Sequence, residues 1–424
     1  MVGGLAFVVR AIYGLFIHPP FSFLRSDAGG YIQRAQALLD GNFAADPNST
    51  FFPYGTHYLL AAVLGVTGRA EWSVGIAWAL LGTFAVVFSM LAAQAFMPER
   101  PRAVVATGLI LALYPPWIEH GGFALSETPA AFCISAAAFL GVRFARAGRL
   151  RDALLLGLVL ALGTAFRPQV LTSVAVLALV FLVRRRELGT PRWTAAAIAA
   201  VPIAVVLIFS AARMRYHTGH LGLVSTNGAF NYALGRCHAH TLAATESPRS
   251  AFQPPGFLRL WRFREKSGVD PIPALDPALT PELTFKGKVW QEEPARELAD
   301  RCIEATGPVR QVKYGLTHLL LLWAYNVPWP TTGPVAAVSS FVHALLLVPG
   351  LLVALFRSLK KTGALALTLT AHIFAVFAVA IVFFGEARLR MPYDGIIVLC
   401  AVWVYADWLT RWKKSPWRTV AAEP

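Results

Sequence analysis

Charged side chains are scarce in this sequence. Asp, Glu, Lys and Arg make up 14% of its 424 residues, whereas soluble domains carry roughly 25%. Hydrophobic residues make up 56% and the mean hydropathy is +0.55. Several apolar runs approach the length of about 20 residues that a helix needs to cross a bilayer. The shortage of charge excludes a soluble globular domain and predicts an all-α, polytopic membrane protein.

Three kinds of catalytic motif are also missing. The sequence contains no phosphate-cradling P-loop, no GxGxxG turn and no HExxH helix. ATP hydrolysis, dinucleotide redox chemistry and zincin-type proteolysis therefore have no support. There are four cysteines, and no Cys or His spacing typical of a metal site. We expect no cofactor, and a divalent metal stays open without a ligand motif to support it.

The apolar pattern predicts ten membrane spans. Residues 1–17 form the first of them, because they lack the basic start and cleavage site of a signal peptide. Arg167-Pro168 divides one long apolar stretch into two short spans. The ten spans are residues 1–17, 71–96, 103–118, 128–146, 152–166, 168–183, 193–213, 335–357, 364–384 and 393–410.

The basic residues fix the predicted orientation. Most of them fall in short loops between spans, and ten spans place the five basic loops on one face, which is then cytoplasmic. Both termini are expected inside. This pattern accounts for the net charge of +15 without a nucleic-acid partner. The segments 18–70, 119–127, 214–334 and 385–391 then face outward.

The chain divides into three predicted parts. Residues 1–213 form an N-terminal transmembrane module with a first outer loop at 18–70. Residues 214–334 form a small periplasmic domain with an interfacial helix, and they contain Cys237 and Cys302, for which a disulfide and free thiols are both open. Residues 335–424 form the C-terminal transmembrane helices and a basic cytoplasmic tail.

Asp27 follows the first span and opens a short amphipathic segment. An acid near lipid is costly and usually functional, and a carboxylate here could act as general base on an acceptor hydroxyl or amine. The alternative is that Ser26 or Asp27 only caps the helix. Tyr31 is expected to line the same pocket, while Tyr54 and His57 close the loop and could hydrogen-bond a phosphate or a sugar.

Glu127 is the second candidate catalytic acid. It lies at the predicted outer start of the fourth span, where Ser126 and Pro129 are also typical of an ordinary helix start. Asn227 and Asn231 follow the seventh span and could contact sugar hydroxyls. The alternative for that segment is a simple Asn-Gly turn.

Three arginines are candidates for binding a donor phosphate. Arg167 interrupts an apolar run and needs a partner, either an acid such as Asp27 or Glu127 or a lipid phosphate. Arg388 and Arg390 lie two residues apart on a predicted outer loop, where arginine is unexpected. A guanidinium binds phosphate oxygens through two parallel hydrogen bonds. The alternative for this pair is contact with lipid headgroups, and we predict that at least one of the two faces Asp27.

Four segments resemble the GT-C class of membrane glycosyltransferases, in particular its bacterial branch related to protein O-mannosyltransferases and lipid A aminoarabinose transferases. They are SDAGGY at 26–31 with the residues through Gly41, FRPQ at 166–169, STNG at 225–228 with the residues through Gly235, and FGEARLRMP at 384–392. The sequence departs from the mannosyltransferase pattern because no second acid follows Asp27. That departure puts an Asp-Glu pair in doubt.

The resemblance implies a function and a location. It implies a GT-C-like fold with outer-face juxtamembrane helices, in the bacterial inner membrane, with the active site facing the periplasm. It further implies an inverting transfer of a sugar from a polyprenyl-phosphate donor to a lipid, glycan or protein acceptor. The rival hypotheses are a lipid or glycan transporter or flippase, and a non-catalytic scaffold of polysaccharide assembly. A transporter often contains inverted repeats, and we find none in the sequence.

Overall fold

The computed structural model describes residues 1–184, 186–187, 193–237, 288, 290–323, 334–360 and 363–413. These residues are helical with short connections, and no β-strand occurs among them. The helices, in chain order, are α1 Val2–Ile12, α2 Ser26–Leu39, α3 Tyr54–Val66, α4 Trp72–Phe96, α5 Pro101–Ala112, α6 Pro115–His120, α7 Glu127–Ala147, α8 Leu150–Phe166, α9 Val170–Val183, α10 Trp193–Thr218, α11 Asn227–Arg236, α12 Glu292–Leu321, α13 Pro334–Leu359, α14 Ala364–Val382, α15 Ala387–Arg390 and α16 Asp394–Lys413.

Within the described part of the chain, seven helical segments are long and apolar enough to cross a membrane. They are Val2–Ser22, Trp72–Phe96, Glu127–Ala147, Trp193–Thr218, Phe341–Leu359, Ala364–Val382 and Ala387–Trp412. The other predicted spans correspond to α5, α8 and α9, which have 12, 17 and 14 residues. The all-α membrane fold is therefore confirmed, whereas the count of ten spans and the periplasmic domain stay predictions.

Proline determines where several of these helices begin, end or bend. α5 begins with Pro101, whose fixed φ suits the first helical turn. α8 ends at Phe166 because Arg167 precedes Pro168 and is forced into an extended conformation, with φ −147° and ψ 110°. α12 bends at Gly307, where φ is +72°, just before Pro308. The break at Arg167 matters most for the site, because it places this side chain between two helices, in extended backbone.

The hydrophobic core holds the spans together around α7. α7 packs against α4 and α8, and α14 packs against both α9 and α7. Sixteen residues of α7 are buried, many of them alanine, which lets neighbouring helices approach closely. Two further long helices, α13 and α16, pack against each other.

α11 and α12 form a small unit beside the spans, joined by a disulfide. Cys237 and Cys302 are bonded, with their Cα atoms 5.1 Å apart, which decides between the two alternatives left open for this pair. Two glycines let this unit approach the chain between α14 and α15. A Cβ on Gly235 would lie 1.2 Å from the Phe383 carbonyl oxygen, and one on Gly385 would lie 1.8 Å from the His318 carbonyl oxygen. Neither position has room for a side chain.

Candidate functional site

α2 places Asp27 at its first turn, but not as a cap. Arg25 occupies the N-cap position and no side chain caps the helix, so the capping alternative for Asp27 is wrong. Ser26 has φ +53°, a conformation that few side chains adopt. Gly29 packs so tightly that a Cβ there would lie 2.3 Å from the Leu24 carbonyl oxygen. This tight turn leaves the Asp27 carboxylate free to reach another element.

Asp27 and Glu127 are joined through Arg388. Its Nη2 donates to Asp27 Oδ2 at 3.0 Å, and its Nε donates to Glu127 Oε1 at 2.8 Å. Nη1 of Arg167 lies 2.9 Å from the same Glu127 oxygen and 3.3 Å from Ser126 Oγ. Four charged side chains from α2, α7, α15 and the α8–α9 break thus form one network. The sequence separations within it reach 361 residues.

The four side chains of this network differ in how exposed they are. Glu127 is completely buried, whereas Asp27 is 31% exposed at the side chain and the two arginines are 15% and 12% exposed. A cavity lies beside the network, and Glu127 does not line it. The Oε2 atom of Glu127 has no hydrogen-bond partner among the described residues. This geometry favours Glu127 as a group that positions the two arginines, in place of the catalytic acid predicted from the sequence.

A cavity of about 490 Å³ opens beside the network. Asp27, Arg167 and Arg388 lie on its wall, and so do Tyr31, Asn227 and Asn231, which the sequence analysis assigned to substrate binding. The remainder of the wall is largely apolar. It includes Phe51, Phe52, Phe166, Leu171, Val224, Phe230, Leu234, Val379, Phe383, Phe384 and Leu389. A charged end joined to an apolar body suits an amphipathic ligand with an anionic headgroup.

Glu386 is a cavity residue to which the sequence analysis gave no role. It is partly exposed in the loop between α14 and α15, in extended backbone just before Arg388. Burial raises the pKa of the Glu386 carboxyl to about 7, with Arg388 opposing the shift. The signal available in the sequence was an acid in the same loop as two arginines. Tyr31 is also affected, because burial and then the Asp27 charge raise the pKa of its hydroxyl.

Three predicted site residues lie elsewhere. Tyr54 is buried, and its hydroxyl donates to the Val206 carbonyl at 3.4 Å and accepts a hydrogen bond from Ser210. His57 is buried and lines a different cavity. Both stand at the start of α3, which faces α8 and α10 at this point, and this packing turns them away from Asp27. Neither residue lines the cavity beside Asp27, and their contact with a phosphate or a sugar stays a prediction.

Arg390 is the third of these residues. It is 1% exposed, its Nε donates to Asp394 Oδ1 at 2.8 Å, and its Nη1 donates to the Leu322 carbonyl at 2.8 Å. Its guanidinium also covers the ring of Trp323, which is buried. Because Arg390 and Asp394 are four residues apart on one helical path, they pair locally. We leave Arg390 out of the phosphate-binding set.

The loop that carries Arg388 is fixed by backbone contacts. Trp117 Nε1 donates to the Met391 carbonyl at 2.9 Å, and Gln169 Nε2 donates to the Leu389 carbonyl at 3.2 Å. These contacts fix the backbone that directly follows Arg388. The guanidinium is therefore positioned before any ligand binds.

Comparisons with known proteins agree with this architecture. Residues 52–210 match the family model described as dolichyl-phosphate-mannose-protein mannosyltransferase. The structure is similar to the oligosaccharyltransferase AglB from Archaeoglobus fulgidus in complex with an inhibitory peptide and a dolichol-phosphate, with a TM-score of 0.51 and 12% identity. The chain has the fold of the GT-C class of membrane glycosyltransferases. The resemblance seen in the sequence is thereby confirmed at the level of the class.

The alignments also show how much of each chain is similar. The alignment covers 97% of this chain and 51% of AglB, so the chain spans about half the length of that protein. A second AglB structure, tethered to an acceptor peptide with an NVT sequon, gives a TM-score of 0.52 at 12% identity, covering 96% of this chain and 49% of that one. ArnT from Cupriavidus metallidurans bound to undecaprenyl phosphate gives 0.41 at 15% identity, covering 95% and 76%. No curated protein sequence matches the chain.

Proposed function

We propose that this chain is an inverting glycosyltransferase that moves a sugar from a polyprenyl-phosphate donor to an acceptor at the outer face of the membrane. The observation that carries the proposal is the network of Asp27, Arg388, Glu127 and Arg167 at the polar end of an otherwise apolar cavity. The GT-C fold and the dolichol-phosphate in the AglB complex support a lipid phosphate as the donor's leaving group.

The proposed reaction assigns a role to each member of the network. Asp27 accepts the proton of the acceptor hydroxyl or amine as that group attacks the anomeric carbon. The bond between the anomeric carbon and the phosphate oxygen breaks, and its electron pair stays with the lipid phosphate. Arg388 and Arg167 stabilise the charge that develops there, which is commonly the largest catalytic contribution. Glu127 holds both guanidiniums at the wall.

The neighbouring polar residues fit the sugar. Asn227 and Asn231 lie one helical turn apart at the start of α11 and line the same cavity. Their amides can donate to and accept from sugar hydroxyls. α11 is tied by the disulfide to α12, so we propose that this unit shapes the choice of sugar and acceptor. Its oxidised cysteines also favour an extracytoplasmic location.

The proposal is tested by mass spectrometry of polyprenyl-phosphate lipids. Membranes are extracted from cells that lack the protein, express the wild type, or express Asp27→Asn. We expect a polyprenyl-phosphate sugar to accumulate without the wild type, and undecaprenyl or a related lipid phosphate to copurify with both proteins. If the sugar–phosphate bond stays intact while the lipid changes leaflet, the chain is a transporter. If neither lipid nor glycan changes, it is a scaffold.

We also propose that the transfer is independent of divalent metal. The described residues contain no group of three or more His, Cys, Asp or Glu side chains that could hold an ion. In addition, the guanidinium of Arg388 already lies between the carboxylates of Asp27 and Glu127. We expect turnover of the purified enzyme to be unchanged by EDTA. Loss of activity with EDTA and recovery with Mg²⁺ or Mn²⁺ would contradict this prediction.

The pKa of Glu386 predicts a pH dependence of donor use. Asp27, Glu127, Arg167 and Arg388 sum to zero formal charge, so ionisation of Glu386 makes the site negative. The carboxyl is protonated below its pKa of about 7 and charged above it. A phosphate-bearing donor should bind less well to the charged form, and kcat/KM should fall as pH rises through 7.

Glu386→Gln tests this dependence, because glutamine keeps the shape of the protonated acid. In Glu386→Gln, kcat/KM should not change with pH across this range. It should equal the value that the wild type has below pH 7. Glu297 on α12 provides the control, since it is exposed and lines neither cavity. A fall with the same midpoint in Glu386→Gln would assign the titration to another group.

A further inference from the structure

A second cavity of about 570 Å³ lies between α2, the turn at 46–49 and the end of α10. It shares no lining residue with the cavity beside Asp27. The rings of Tyr31 and Phe52, 5.1 Å apart, belong to the first cavity, and His57, whose ring lies 6.5 Å from that of Tyr31, belongs to the second. The two spaces are neighbours separated by aromatic side chains.

Arg213 is the buried cation of the second cavity. It is 6% exposed, and its Nη2 donates to the Ser49 carbonyl at 2.6 Å. Its guanidinium also lies near the Tyr58 hydroxyl and 5.5 Å from the centre of the Tyr54 ring. No carboxylate pairs with it among the described residues. Arg213 therefore keeps a buried positive charge that an anion could balance.

Arg34 adds a second cation to the same wall. Its Nη1 donates to the Gly30 carbonyl at 2.8 Å and its Nη2 to the Asn48 carbonyl at 2.7 Å, which fixes the guanidinium. Asp46 is the one acid among the described residues that line the cavity, and its carboxylate accepts from the Asn48 backbone N–H at 3.0 Å. The two arginines and this acid leave a formal charge of +1, so the cavity favours an anion.

Apolar side chains form another part of the cavity wall. Ala37, Leu38 and Phe43 line it from α2 and the following turn, and Phe209 and Ala212 line it from α10. Phe209 is 46% exposed on a helix that is long and apolar enough to cross the membrane. The cavity therefore joins a cationic wall to a surface suited to hydrocarbon, and its ligand should be an anion attached to an apolar chain.

We infer that this second cavity binds the phosphate group of a membrane amphiphile, at a site separate from the one beside Asp27. Arginine suits this chemistry because its fork contacts two phosphate oxygens at once. Arg213 would contribute its charge from α10, and Arg34 would add its charge from α2. The inference concerns binding alone, so it stands or falls independently of glycosyl transfer.

The test is titration calorimetry of the full chain in nonionic detergent with dihexanoyl phosphatidate as the probe. Arg213→Gln should weaken binding by about tenfold or more, the scale expected for losing hydrogen bonds to a charged group. Arg215→Gln is the matched control, since Arg215 is exposed on the same helix and lines neither cavity. Arg388→Gln should leave the part of this binding that depends on Arg213 unchanged, because Arg388 lines the other cavity.

A second variant guards against unfolding. Arg213 supports the Ser49 carbonyl, so its loss could disturb the turn. Ala212 lines the cavity and is exposed, so Ala212→Glu should fold and place a carboxylate in the same cavity as the arginines. It should weaken phosphatidate binding by a similar factor. If both Arg213→Gln and Ala212→Glu bind phosphatidate as the wild type does, the inference is overturned.

A further titration, with inorganic phosphate, distinguishes the source of the ligand. If inorganic phosphate binds as tightly as dihexanoyl phosphatidate and is sensitive to Arg213→Gln, the site accepts a free phosphate. If it binds more weakly by about tenfold or more, the apolar wall contributes and the ligand is a lipid. If neither phosphate compound binds the wild type, the cavity is not a phosphate site and the inference fails.

Discussion

Replacing Asp27 by Asn is expected to reduce turnover by about 100-fold or more, the usual scale for loss of a general base. Asparagine keeps the shape of the side chain and can still accept a hydrogen bond from Arg388 through its amide oxygen. The ion pair from Arg388 to Glu127 is unaffected, so the network should remain assembled. The variant therefore removes the base with little change to the cavity.

Two measurements separate this outcome from a general loss of structure. Binding of undecaprenyl phosphate should be retained in Asp27→Asn, because Arg388 and Arg167 still line the cavity. Asp40→Asn is the control: Asp40 follows the same helix, is exposed, and pairs with Arg69 at 2.6 Å. Its turnover should match the wild type. Normal turnover in Asp27→Asn would refute the role of base, and Glu386 would then be the next carboxylate to test.

The sequence was most informative where a charge conflicts with its apolar surroundings. Arg167 interrupts an apolar run, and Asp27 and Arg388 lie in short segments beside apolar spans. The structure brings all three to one cavity. The class of fold could also be predicted, because helix length and hydropathy follow directly from composition. These predictions depend on local chemistry, which a single sequence contains.

The errors concern which way a side chain faces after packing. Arg390 has the same local context as Arg388, yet two positions along a helix differ by about 200° in direction, and Arg390 turns to Asp394. His57 lies near Asp27 in the folded chain but on the other side of Tyr31 and Phe52. Glu127 was identified as important, whereas its complete burial depends on helices that are distant in sequence. The direction in which such a side chain points is decided by tertiary contacts.

The number of spans is open for a related reason. α5 and α9 are apolar but contain 12 and 14 residues, less than the length of about 20 that a straight crossing needs. Short helices of this kind can end inside the membrane where protein surrounds them. Charged residues at the ends of such a helix therefore need not lie at a membrane surface. A prediction based on hydropathy alone cannot distinguish a half-length helix from a short span.

Arg388→Lys is expected to weaken binding of undecaprenyl phosphate by about tenfold or more, although the charge is kept. The native guanidinium donates from Nε to Glu127 and from Nη2 to Asp27, two carboxylates on different helices. A lysine ammonium is a single point of charge on a flexible stem and cannot reproduce this fixed fork. The substitution should also release Asp27 from its position, so kcat should fall together with donor affinity.

Arg390→Lys is the matched control, two residues along the chain. Arg390 is buried against Asp394 and the Leu322 carbonyl and does not line the cavity. Its replacement should lower the thermal unfolding midpoint, while the protein that remains folded binds undecaprenyl phosphate normally. Arg388→Lys should show the opposite pattern, with weak binding and a smaller change in the midpoint. If Arg390→Lys weakens binding and Arg388→Lys does not, the donor phosphate lies beside Arg390, and the proposed cavity is not the donor site.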